Sequence, residues 1–194
     1  MAIKTTTISN GGGNFTKGWQ SATINKAEYG TYEGTRFLDV WFNELGEHLN
    51  ARVYEKNTKA TNEEFAIASL FRFTNAGIVD VLEDPTGKKP IVQYDDEASH
   101  LIGKTINIYI YKDGSYHSVL RSFAPVPQEN GEKLHYSDKD VEYWKGRAES
   151  YFNDWVKPNL SNNADDFIEA DTDEIKEMVA ETTTVNGKDD NLPF

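Results

Sequence analysis

The sequence predicts a mainly β fold: a small five-stranded barrel with one helix after its third strand. Three observations predict it. Five segments alternate apolar and polar residues with the period of two that a half-buried strand shows. Short Gly-, Asn- and Asp-rich turns join most of them. One segment, residues 61–76, carries a helical signature instead.

Residues 1–17 are small and polar around Asn10-Gly-Gly-Gly-Asn14 and read as a flexible arm. The barrel is expected over residues 18–125. Trp19 to Tyr29 alternates loosely, with Ala22 and Ile24 on one face, and Gly30 to Gly34 reads as a turn. Thr35 to Asn43 sets Leu38, Val40 and Phe42 against Phe37, Asp39 and Trp41; His48 to Tyr54 sets Leu49, Ala51 and Val53 against Asn50, Arg52 and Tyr54. Thr61-x-x-Glu64 matches a capping box, Phe65, Ala68, Leu70, Phe71 and Phe73 supply an apolar stripe, and Asn75-Ala-Gly77 stops the helix.

Residues 78–103 are mixed, with a turn at Asp84-Pro-Thr-Gly87 and a basic loop at Lys88-Lys89-Pro90. Thr105 to Lys112 alternates cleanly: Ile106, Ile108 and Ile110 face one way, Asn107, Tyr109 and Tyr111 the other. Asp113-Gly114 is a hairpin turn, and Tyr116 to Phe123 returns. Three strands, a helix and two strands is the order of an OB-fold, a Greek-key barrel.

Residues 126–160 form a helical extension. Ser137-Asp-Lys-Asp140 opens a helix in which Val141, Trp144, Ala148, Tyr151, Phe152, Trp155 and Val156 recur at helical spacing until Pro158. The stripe is expected to dock on the barrel, with a homodimer contact as the alternative. Residues 161–194 read as a disordered acidic tail, with a short transient helix over Thr172 to Ala180 at most.

The charge is segregated. The chain has 194 residues, 20 Lys+Arg and 32 Asp+Glu, a net of −12. Residues 1–125 hold 13 basic and 15 acidic side chains, whereas residues 126–194 hold 7 and 17. The body is almost neutral, and the imbalance lies in the arm that follows it. Only 38% of the residues are hydrophobic, yet there are 4 Trp, 10 Tyr and 10 Phe, more rings than a core this small needs.

Much chemistry is excluded. With no cysteine there are no disulfides, thiolate metal sites or cysteine nucleophiles. The first residues lack the apolar run of a secretory signal, and no apolar stretch would cross a bilayer, so a soluble cytoplasmic protein is expected. Gly103-Lys104-Thr105 resembles the end of a phosphate-binding loop, but Ala98 stands where its first glycine belongs. His48, His100, His117 and His135 do not pair at i, i+4 and read as surface histidines; Asp171, Asp173 and Glu174 read as plain charge. No nucleophile elbow is present. No catalytic residue, metal or cofactor is expected.

What remains is a binding surface. If the aliphatic faces fill the barrel, Phe37, Trp41, Tyr54, Tyr109 and Tyr111 point outward, with Arg36, Arg52, Lys112 and Arg121 on or beside the same strands. Rings of this kind stack on unpaired bases whatever their sequence, and cations meet the phosphates. Lys17, Lys26, Lys88, Lys89 and Lys104 would extend the track.

The chain ends Asp189-Asp190-Asn191-Leu192-Pro193-Phe194. Pro193 restricts the backbone before binding, and Phe194 joins a ring to the terminal carboxylate, a pair suited to an apolar pocket beside a cation. This tip resembles that of bacterial and phage single-stranded DNA-binding proteins, which ends in an acidic run, an aliphatic residue, Pro and Phe; here Asn191 replaces a common Asp and Leu192 a common Ile. The body is more similar to the phage-encoded members. The resemblance implies a protein that coats single-stranded DNA without sequence preference. It would recruit replication, recombination and repair proteins through Asp189, Asp190, Leu192, Pro193 and Phe194, in the host cytoplasm if phage-encoded. The tail would compete with DNA for the positive groove. The rival readings are an OB-like protein-interaction adaptor that binds no nucleic acid and, weaker, a DNA mimic.

Overall fold

The computed structural model describes residues 15–59, 61–83, 90–128 and 131–160. The expected arm around Asn10–Asn14, the expected turn at 84–87 with Lys88 and Lys89, and the tail with the short helix expected in it lie outside these residues.

The alternating segments form the strands β1 (Gly18–Tyr32), β2 (Thr35–Phe42), β3 (Asn50–Tyr54), β6 (Thr105–Asp113) and β7 (Tyr116–Val119). Every neighbouring pair is antiparallel, in the order β3-β2-β1-β6-β7. Strands β3 and β7 are the two edges, and no ladder joins them. The expected barrel is therefore an open five-stranded sheet as far as its hydrogen bonds go.

Two more strands come from the mixed stretch. Ile78–Leu82 (β4) and Ile91–Tyr94 (β5) pair as a separate two-stranded sheet. Their sequence hid them because both are short and none of their residues is buried, so no inward–outward alternation marks them. The chain thus has seven described strands where five were expected.

Strand β1 explains its own loose alternation. Its register against β2 steps from Ile24↔Phe42 to Lys26↔Trp41, so one extra residue, Asn25, bulges. Before the bulge Ala22 and Ile24 face the core; after it Ala27 and Tyr29 do. The inner face carries Leu38, Val40, Phe42, Ala51, Val53, Ile106, Ile108 and Ile110, all buried. Fully burying one such Val, Leu, Ile or Phe contributes about 1.5–3 kcal/mol.

The first helix, α1 (Ala66–Phe73), lays Ile67, Leu70, Phe71 and Phe73 on this core. Its start corrects the sequence reading. Thr61 is not the cap, because its hydroxyl is engaged by Thr58 at 2.6 Å. The Glu64 carboxylate alone accepts from the backbone N–H groups of Ala66, Ile67 and Ala68 at 2.8, 2.9 and 2.6 Å. Asn75 and Gly77, at φ 50° and 61°, end the helix as expected. A Cβ on Gly77 would run into the Asp95 carbonyl.

The second helix, α2 (Asp138–Tyr151), opens on a complete capping box between Ser137 and Asp140. A π turn, Phe152–Val156, continues it. The chain between β7 and α2 is tied to the end of α1: the Asn75 side chain bonds both backbone groups of Leu134 at 2.9 Å, and the Tyr136 hydroxyl donates to Arg72 O at 3.2 Å. No helix among the described residues is long and apolar enough to cross a membrane.

Candidate nucleic-acid interface

Register decides which side chains share the outer face. Across β1, β2 and β3 it sets three rows: Lys26, Trp41 and Asn50; Glu28, Asp39 and Arg52; Gly30, Phe37 and Tyr54. Four of the expected residues, Phe37, Trp41, Arg52 and Tyr54, therefore sit on one face.

Their exposure differs from expectation. Phe37 points outward but is only 9% exposed. Gly30 has no side chain opposite it, and the ring fills that gap so closely that a Cβ there would collide with it. Tyr54 meets Phe37 edge-on at 5.7 Å, and the Arg52 guanidinium lies 3.9 Å above it. Phe37 is a support for its neighbours and not a free stacking ring.

Arg52 is itself positioned. Its Nε and Nη2 donate to the two carboxylate oxygens of Asp39 at 2.8 and 2.7 Å, a bidentate pair that keeps the guanidinium charged. The Lys26 ammonium sits 4.4 Å from the Trp41 ring while pairing with Glu28 at 3.0 Å. Trp41 and Tyr54 are half-buried, each with surface left to solvent.

The other half of the outer face is roofed. Trp19 and Tyr109 are cross-strand partners and touch edge-on at 5.4 Å. Helix α2 lies over them: Glu149 accepts from the Trp19 Nε1–H at 2.6 Å, and Phe152 packs against Tyr109 at 5.2 Å and Tyr111 at 5.3 Å. Burial raises the ionisation point of both tyrosines. Trp144 anchors the helix on Phe73 at 4.9 Å. The expectation that Tyr109 and Tyr111 stand free for bases is therefore corrected: Tyr109 is a docking platform for α2, and Tyr111 keeps only an outer edge.

That edge borders a cleft of about 290 Å³ between the two sheet edges. Asn50 and Arg52 line it from β3, Tyr111 from β6, Ser118 and Val119 from β7, and Arg121 from just beyond. Arg121 falls in a break of the ladder: Leu120 N–H still reaches Tyr109 O at 2.9 Å, and pairing resumes only at Ala124 with Asn107. The break leaves Arg121 exposed, 5.5 Å from the Tyr54 ring, with no carboxylate partner among the described residues. The sheet thus curls far enough to bring Arg52 on β3 and Ser118 on β7, the two ends of the order, to one cleft.

Of the expected residues Arg52, Tyr111 and Arg121 line it, and Arg36 and Lys112 lie on the other face. Arg36 pairs with Asp96 at 2.7 Å and lies 3.7 Å over Tyr29, a ring packed against the core on the inner side. Lys112 alternates with Tyr111 and stands opposite His117, on the other face. Sequence reasoning missed Asn50 and Ser118, whose role depends on the two edges meeting. It also missed Tyr32 and Tyr116, the exposed rings at the two hairpin turns; a tyrosine beside a turn glycine was the available signal.

The described histidines include one with an acidic neighbour. His100 Nε2 lies 3.2 Å from Asp95 Oδ2, and Glu97 is close by; all three are exposed. The His100 contact and the Glu97 N–H hold the Asp95 carboxyl below its ordinary range. The terminal Asp189, Asp190, Leu192, Pro193 and Phe194 lie outside the described residues. Compared with known proteins, the chain matches no family model, no curated protein and no solved structure.

Proposed function

We propose that the protein binds single-stranded DNA without sequence preference, across the open β2–β3 face and into the cleft between β3 and β7. One observation carries this reading: Arg121, without a carboxylate partner among the described residues, and the Asp39-braced Arg52 converge on a cleft that Tyr111 also lines, with Tyr54 beside Arg121 and Trp41 paired to the lining Asn50. Two oriented cations beside half-open rings suit phosphates and unstacked bases, which is the chemistry of a single strand. The order β3-β2-β1-β6-β7 with a helix after β3 supports an OB-type sheet whose seam lies along this cleft. The acidic tail and its Leu192-Pro193-Phe194 tip would recruit replication, recombination and repair proteins, and its carboxylates would oppose the approach of DNA.

The test is titration of a labelled oligo(dT) read by fluorescence anisotropy. Affinity is expected to fall as salt rises. Trp41→Ala should weaken binding about 5-fold or more, and Arg121→Ala should lower the salt slope by about 1. A chain lacking residues 161–194 should bind more tightly at low salt. No binding of the parent to oligo(dT) at low salt overturns the proposal.

A further inference from the structure

The stripe expected to dock α2 divides in two. Val141 and Ala148 are buried, and Trp144 and Phe152 pack against Phe73 and the β6 tyrosines. Tyr151 and Trp155 remain exposed, at 38% and 61%, and Tyr143 joins them at 58%. These rings belong to a different row: Lys139, Tyr143, Arg147, Tyr151 and Trp155 follow one another at intervals of four. Tyr143 meets the anchoring Trp144 edge-on at 5.3 Å, but its own ring and those of Tyr151 and Trp155 stay exposed.

The row has the composition of a strand-binding track. It holds two cations and no carboxylate. Lys139 and Arg147 have no carboxylate partner among the described residues, and Arg147 lies 5.9 Å from the Tyr143 ring with its Nη1 3.4 Å from that hydroxyl. Two carboxylates of the helix are turned to other work: Glu149 to Trp19 and Glu142 to Lys145. Four residues of α-helix advance about 6 Å, the reach of one nucleotide in an unstacked strand. Each such step also rotates about 40° past a full turn. The π turn at Phe152–Val156 winds with more residues per turn and takes back part of that drift before Trp155.

The row is also continuous with the cleft. Phe152 touches Tyr111, which lines the cleft, and the neighbouring Tyr151 is close enough to Tyr111 to disfavour its ionisation. We propose that the outer face of α2 is a second stacking track, on which a single strand that passes the β3–β7 cleft at Tyr111 runs along the helix and lays further bases on Trp155, Tyr151 and Tyr143 in that order, with its phosphates at Arg147 and Lys139. This rests on the single-strand reading above and adds to it a longer footprint that includes the helix.

Oligonucleotide length separates the two. The full chain is titrated with oligo(dT) of about 8 and about 30 nucleotides, one within and one beyond the span expected of a single small barrel. Tyr151→Ala and Trp155→Ala are each expected to weaken the long oligonucleotide about 5-fold or more and to leave the short one within about 2-fold. The double variant Lys139→Ala/Arg147→Ala should reduce the salt slope for the long oligonucleotide only. Trp41→Ala should weaken both lengths. Thermal melts matched to the parent exclude misfolding, and the cation variant, which removes no ring, tests the track independently. Equal loss at both lengths, or none at the long one while the short one still binds, overturns the α2 track and leaves the cleft reading intact. Failure of the parent to bind either length overturns both. A fall in solution mass on Trp155→Ala, with oligonucleotide binding unchanged, assigns the face to a second copy of the chain and overturns the track.

Discussion

The two halves of the outer sheet face start from the same pattern and end in different states. On β2 and β3, Trp41, Arg52 and Tyr54 alternate with core residues and keep access to solvent. On β1 and β6, Trp19, Tyr109 and Tyr111 alternate in the same way, yet α2 packs against them. Alternation tells which way a side chain points. What comes to lie on it depends on a segment tens of residues away. The covered half seats α2 on the sheet; the open half keeps its cations braced by Asp39 and by ring contacts.

Removing the anchor of the roof is the largest way to break that contrast. Trp144→Ala takes away the ring that holds α2 on Phe73. A loss of about 3 kcal/mol in the urea unfolding free energy is expected, the low end for a large-to-small change because the ring is only half-buried. Fluorescence of Trp19 should also become more accessible to quencher. An unchanged unfolding midpoint would mean that α2 is held by something other than this contact.

Freeing a cation on the open half sharpens the contrast from the other side. Asp39→Asn removes the charge that both Arg52 nitrogens meet. A stability loss of about 1 kcal/mol is expected. At low salt oligo(dT) should bind more tightly and with a steeper salt dependence, since Arg52 then has only phosphate to neutralise. A stability loss with no gain in affinity would place Arg52 in the fold alone.

A third contrast lies on the alkaline side. Burial pushes Tyr94 and Tyr136 up to about 12 and raises Tyr29 as well. In the unfolded chain these hydroxyls ionise near about 10. The folded state holds their protons more tightly, so its stability is intact below about pH 10 and falls as pH climbs from about 10 toward 12. Urea midpoints taken across that range should decline. Tyr136→Phe, at the roof's attachment to α1, should flatten part of the decline, and a pH-independent midpoint would contradict these burials.

The two halves also show where legibility stopped. The core was readable: Leu38, Val40, Phe42, Ile106, Ile108 and Ile110 all face inward as their alternation requires. The α2 cap at Ser137 was readable because its chemistry is local. Strand β1 was half-readable, since one bulged residue reverses its alternation midway. The α1 cap was misread, because Thr58, close by in sequence but outside the motif, claimed the Thr61 hydroxyl and left the work to Glu64. The β4–β5 pair was missed, because two short strands that bury none of their residues need no alternation of apolar and polar side chains.

For the candidate site the division follows from the same physics. Sequence alone determined the residue types, their parity on each strand and the segregation of charge between body and arm, because these depend only on neighbours along the chain and on the two-residue period of a strand. Tertiary structure decided that Arg52, Arg121 and Tyr111 share a cleft, that Arg36 and Lys112 do not, and that Phe37 and Tyr109 are covered. Those outcomes depend on how the sheet curls and on where α2 comes to rest. Both are set by contacts between residues far apart in sequence, which no local pattern encodes.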